Sequence, residues 1–158
     1  MFNLSEQSKQ GGAIGLIFRT LVRFLQLVLA LTVCGLYGTD LNAARKADKY
    51  ADSKWVYAVV VAGMSAVTCL VYLTPFIKAF YAFAWDFVLW VLWLAAFGVF
   101  GKLYIGEDPE GNGGIERMKN AVWVDLVNML LWFITFVYST FVFFHHRKRS
   151  LHTGRAKV

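Results

Sequence analysis

Residues 55–77 read WVYAVVVAGMSAVTCLVYLTPFI, an unbroken stretch without a formal charge. An α-helix rises 1.5 Å per residue, so about 20 apolar residues cross a hydrocarbon core of roughly 30 Å. A helix of that length in a soluble domain keeps a polar stripe toward water, and this stretch has none to offer. Working outward, three more apolar runs lie at about 17–37, 79–101 and 121–144. Four such runs in 158 residues predict an all-α, membrane-embedded four-helix bundle with short loops.

Composition agrees. Hydrophobic residues make up 58% of the chain and charged residues 16%, against about 45–50% and about 25% in soluble domains. The connections are too short to hold a second domain. The expected organisation is an amino-terminal segment at 1–13, a four-span unit at 14–144 and a basic tail at 145–158. The basic start at Arg19 and Arg23 resembles that of a cleaved leader, but the apolar core after it is long and no small-x-small site follows. Cys34 and Cys69 both fall inside apolar runs, where a thiol behaves as a small hydrophobe.

The connections differ in kind. Residues 38–54 read as a polar link rich in Ala, Lys and Asp. Thr74-Pro75 stops the second run, because proline lacks an N–H donor and restricts the residue before it. Only a tight turn at 75–78 then joins runs two and three, which makes them antiparallel neighbours. Residues 106–114, rich in Gly, Asp and Glu with Pro109, form a loop by their turn chemistry. They lack the ligand alternation of a calcium loop.

Orientation follows from Lys and Arg. Lys9, Arg19, Arg23, Lys78 and the five bases of the tail lie on one side, nine in all. The other side holds seven, in 38–54 and 102–119. Bases favour the cytoplasm, and the dense run Arg147-Lys148-Arg149 tips the balance: both termini are expected there. A basic cluster next to a span also suits anionic headgroups, so Arg147, Lys148 and Arg149 are lipid-contact candidates. Nothing in the +6 net charge points to nucleic acid, because its largest share sits in that tail.

Inside the spans, polar residues define a face. Asp125, Asn128, Trp132, Thr135 and Ser139 recur at steps of three and four, the spacing of one helix face. Matching stripes are Arg23, Gln26, Ala30, Val33 and Tyr37 in run one, Ala58, Ala62, Ser65, Cys69 and Tyr72 in run two, and Ala82, Asp86, Leu89, Trp93, Ala96 and Phe100 in run three. The interior is therefore expected to be small and mildly polar, with bulky aromatics mostly toward lipid. Trp90 and Trp93 are lipid-contact candidates on that reading. Arg23, Gln26, Asp86, Asp125 and Asn128 are expected to be structural polar residues within the membrane. The expected partner of Asp86 is Arg23 or Arg19, and that of Asp125 is Lys102 or Lys119; alternatively each stays protonated and donates a hydrogen bond. Asp86 lies near one face of the membrane and Asp125 near the other, too far apart for paired-carboxylate catalysis. The sequence has no phosphate loop, nucleophile elbow, metal motif or redox dithiol. No catalytic, cofactor-binding or metal-ligating residue is predicted.

The second half of the chain resembles a known family. Residues 85–98, WDFVLWVLWLAAFG, look like the third span of fungal MARVEL-domain proteins, and residues 116–128, ERMKNAVWVDLVN, look like the start of their fourth. The resemblance implies a four-span bundle with both ends in the cytosol. It also implies a non-enzymatic role in organising membrane: lipid microdomains, vesicle trafficking or membrane apposition, in the plasma membrane or the secretory and endosomal membranes. The expected partners are lipids of a sterol or sphingolipid environment, with a second copy or a larger membrane protein in addition. The alternative is a small auxiliary subunit of a larger membrane enzyme, transporter or channel.

Overall fold

A computed structural model describes residues 12–47, 53–73 and 79–152, with side chains described at 15, 17–47, 53–73 and 83–144. Four helices carry these residues: α1 (Gly12–Lys46), α2 (Ser53–Leu73), α3 (Ala79–Tyr104) and α4 (Gly113–His152). Each holds a segment long and apolar enough to cross a bilayer. Neighbouring helices run antiparallel. Along the first and last, α1 and α4, Gln26 meets Thr135 and Tyr37 meets Asp125. The helices form a ring in which α1 packs on α2 and α4, and α3 packs most extensively on α4. The α2–α3 seam is the least extensive, although only a short connection joins that pair. The turn expected at 75–78 lies outside the described residues.

The helices outrun the expected spans. A polar link was expected from residue 38, but α1 continues through Gly38 and Asp40 to Lys46. Its 35 residues reach roughly 52 Å, well beyond a hydrocarbon core of about 30 Å. The polar residues of 40–46 are thus an extramembrane extension of the helix, with Arg45 and Lys46 in the last turn where the helix dipole favours cations. α4 begins at Gly113 rather than near residue 121. Asn112 caps it, its side-chain oxygen accepting from the Gly114 N–H at 3.0 Å, and Glu116 sits in the first turn beside the positive dipole end. The backbone of α4 stays helical to His152, so the basic tail begins as a continuation of the fourth helix.

The short α3–α4 loop turns on two left-handed residues, Glu110 (φ 40°) and Gly111 (φ 82°). The Asn112 N–H returns to the Pro109 carbonyl at 2.5 Å. Two successive positive φ angles closed by such a bond make a type I′ turn. Glycine takes the second place without steric cost.

The four inward stripes meet along the bundle axis. α1 buries Val22, Arg23, Gln26, Ala30, Val33 and Tyr37; α3 buries Asp86, Leu89, Trp93, Ala96 and Phe100. α2 contributes Ala58, Ala62, Ser65 and Cys69 among others, and α4 contributes Asp125, Asn128, Trp132 and Thr135. The core is not small, however. Phe18, Phe24, Phe87, Trp123 and Phe141 are exposed on the outside, in keeping with aromatics turned mostly outward, but Trp93, Trp132, Tyr37 and Phe100 of the inner stripes are the largest fully buried side chains. The alanines on facing helices leave space that these rings fill, and close packing rather than hydrophobicity holds helices together in lipid.

Candidate functional site

Two polar nodes occupy the axis, one at each level of the bundle. In the first, Arg23 of α1 reaches diagonally across to Asp86 of α3, with Nη2 2.6 Å from Oδ2. Its Nη1 donates to Gln26 Oε1 at 3.1 Å. The guanidinium lies over two rings, with Cζ 4.4 Å from the Tyr72 centroid and 5.0 Å from that of Trp132. Gln26 donates to Thr135 Oγ1 at 3.4 Å, and Ser139 donates to Asp86 Oδ2, also at 3.4 Å. All four helices thus close on one guanidinium. An uncompensated charge at this depth would cost several kcal/mol. A carboxylate, an amide and two aromatic faces supply what water would otherwise give.

In the second node Tyr37 donates its hydroxyl to Asp125 Oδ2 at 2.7 Å. The Tyr37 ring packs on Phe100, centroids 4.5 Å apart. Asp125 therefore takes a neutral partner from α1, not the lysine expected from Lys102 or Lys119. Lys119 instead donates to the Glu107 carbonyl at 2.6 Å, on the extramembrane loop. Nearby, the extensions of α1 and α4 are tied by Arg117 and Asp40, 2.5 Å apart.

Indoles stitch the loose α2–α3 seam. Trp93 Nε1 donates to Ser65 Oγ and Trp85 Nε1 to Thr68 Oγ1, each at 2.9 Å. Tyr57 donates to the Leu92 carbonyl at 2.9 Å. Trp93 is fully buried, so its place among the lipid-contact residues is corrected: its N–H needs an acceptor, and Ser65 supplies one inside the bundle. Trp90 is half-buried on the α3–α4 seam, its ring 5.2 Å from Phe133 and stacked at 4° and 6.3 Å from Phe136.

Of the five polar residues picked out in the spans, Arg23, Gln26 and Asp86 converge in the first node and Asp125 lies in the second. Asn128 is buried between the two. The backbone of Arg147, Lys148 and Arg149 is helical, and their side chains lie outside those described. Tyr37, Tyr72 and Ser65 are the partners that reading for charge passed over. The sequence signal was their position on the inner stripes, one polar group per turn facing the acids and indoles.

On the outside of the α2–α3 seam an apolar cleft of about 450 Å³ is lined by Val67, Thr68, Val71, Tyr72, Trp85 and Val88, with Ala84. Val67 and Val71 are exposed on its wall. Among the described residues, no three His, Cys, Asp or Glu side chains converge as metal ligands would.

No curated protein and no solved structure matches the chain. A family model does: that of the MARVEL membrane-associating domain, over residues 16–138, from the first turns of α1 to the Tyr138 that packs against them through Phe18. With its four apolar helices closed into a single bundle, the chain is an integral, multi-pass membrane protein and belongs to the MARVEL family.

Proposed function

We propose that this protein is a non-enzymatic tetraspan organiser of membrane, acting in lipid microdomains, trafficking or membrane apposition through contacts with lipid and with neighbouring proteins. The observation that carries this reading is the use of the interior, where Arg23 is turned on Asp86, Tyr37 on Asp125 and Trp93 on Ser65. The surface left to interact is the outside of the bundle. There Phe87, Val88, Leu94, Phe133 and Phe141 face the membrane, with Trp90 half-exposed among them and the α2–α3 cleft alongside. Arg147, Lys148 and Arg149 extend the same helix beyond the span, where bases attract anionic headgroups. On this reading the bundle sits in the plasma membrane or in secretory and endosomal membranes with both termini cytoplasmic, in a sterol or sphingolipid environment, alone or with a second copy.

The test is gentle extraction followed by mass spectrometry of all retained lipid and protein. The expected result is a lipid class enriched over the bulk membrane. A monomer that keeps neither lipid nor protein overturns the reading. Stoichiometric recovery with one large membrane enzyme or transporter replaces it with an auxiliary-subunit role.

A further inference from the structure

The inner face of α4 between the two nodes carries four polar atoms without a hydrogen-bond partner among the described residues: Asp125 Oδ1, Asn128 Oδ1, Asn128 Nδ2 and Trp132 Nε1. The three residues are completely buried. They follow one another at steps of three and four, so they share a face over about 10 Å of helix. A buried polar atom left unsatisfied costs about 1–3 kcal/mol, and four together on one face call for a common partner.

The chemistry of the set names that partner. It comprises two oxygens, one of the Asp125 carboxyl and one of the Asn128 amide, and two donors, the amide and indole N–H groups. A cation would suit the oxygens and be repelled by the N–H groups. An apolar guest would satisfy neither. Water donates and accepts alike, and buried waters in proteins bridge such groups with about three hydrogen bonds each.

The surroundings fit. Gln26–Thr135 and Tyr37–Asp125 bracket this stretch of α4 against α1, and between them α1 turns Ala30 and Val33 inward. One turn beyond the Trp93–Ser65 bond, α3 presents Ala96 and α2 presents Ala62. Three helices thus bring small side chains to the level of Asn128. Above lies the Tyr37–Phe100 pair, and below lies Trp132 with the Arg23 guanidinium over its ring.

We infer that Asp125, Asn128 and Trp132 form an internal water site in which one or two ordered waters bridge carboxyl, amide and indole, enclosed between the Tyr37–Phe100 pair and the Arg23–Trp132 stack. The inference is independent of the role proposed above. It makes the polar stripe of α4 a hydrated strut, with Arg23 as the charged stopper between this water and Asp86.

Radiolytic hydroxyl labelling read by mass spectrometry tests it on the intact protein in nanodiscs, because radicals born from a bound water mark the side chain beside it. Trp132 and Trp93 are equally buried indoles, but Trp93 already has Ser65 as its acceptor. Trp132 is expected to label several-fold faster than Trp93. Asn128→Leu is expected to bring Trp132 down to the Trp93 rate and leave Trp93 unchanged. Equal labelling of the two indoles in the unsubstituted protein overturns the site, and that comparison stands whether or not the variant folds.

Discussion

At the scale of single residues, the Arg23–Asp86 pair is the most costly contact to break. Removing one partner strands a charge in the membrane interior, a loss of about 3–5 kcal/mol in buried pairs. Asp86→Ala is therefore expected to lower both the yield of folded protein and its thermal midpoint in detergent. Asp86→Asn, which keeps an oxygen for Arg23 and Ser139, is expected to lose less. Indistinguishable, wild-type behaviour of both variants would remove the pair from the account. A milder change is Tyr37→Phe. It deletes a single hydrogen bond to Asp125 while keeping the ring on Phe100, and the expected cost is about 0.6–2 kcal/mol. Denaturant titration of the two proteins side by side reads that difference, and a loss as large as that of Asp86→Ala would refute the ranking. The charged and amide residues of these nodes were legible in the sequence because an ionisable group has few tolerable places in a span. The aromatic ones were legible only by position: Tyr37, Tyr72, Trp93 and Trp132 fall on the inner stripes and Trp90 does not. Hydropathy by itself could not separate Trp93 from Trp90, since lipid and bundle interior are equally apolar.

At the scale of elements, the spans were readable and their ends were not. α1 continues past Tyr37 because residues 38–46 remain helix-compatible once they reach water. Gly38 then costs only about 1 kcal/mol relative to alanine, too little to end a helix packed on two others. α4 starts early because Asn112 caps it, a short-range signal outweighed in the sequence by the run of glycines around it. The pair Arg117–Asp40 ties these two extensions together, but the Arg117 side chain is 42% exposed. Such bridges contribute at most about 1 kcal/mol, so Arg117→Ala is expected to leave the thermal midpoint nearly unchanged; a large drop would show that the strap carries the bundle. The loop turn is stricter. Gly111 sits at φ 82°, and a β-branched side chain there is strained. Gly111→Val is expected to loosen the α3–α4 loop and speed its cleavage by added protease, and an unchanged cleavage rate would refute the strain.

For the whole molecule, four antiparallel spans put both ends on one side. Reporters fused to either terminus are expected to report the same compartment, and opposite compartments would dismantle the ring and both nodes with it. The four-span fold and the family were legible because length and apolarity are global properties of the runs. The order of packing extent around the ring was not, because it depends on how closely each pair of helix faces meets, which the stripes do not state. That order has a mechanical meaning. The α1–α4 pair acts as a spine, α2 and α3 hang from it as two covers, and their shared edge is held chiefly by the hydroxyl catches of Ser65 and Thr68 and the backbone catch at Leu92. Under lateral tension in the surrounding bilayer, that edge is expected to yield first, the two halves parting like a clamshell.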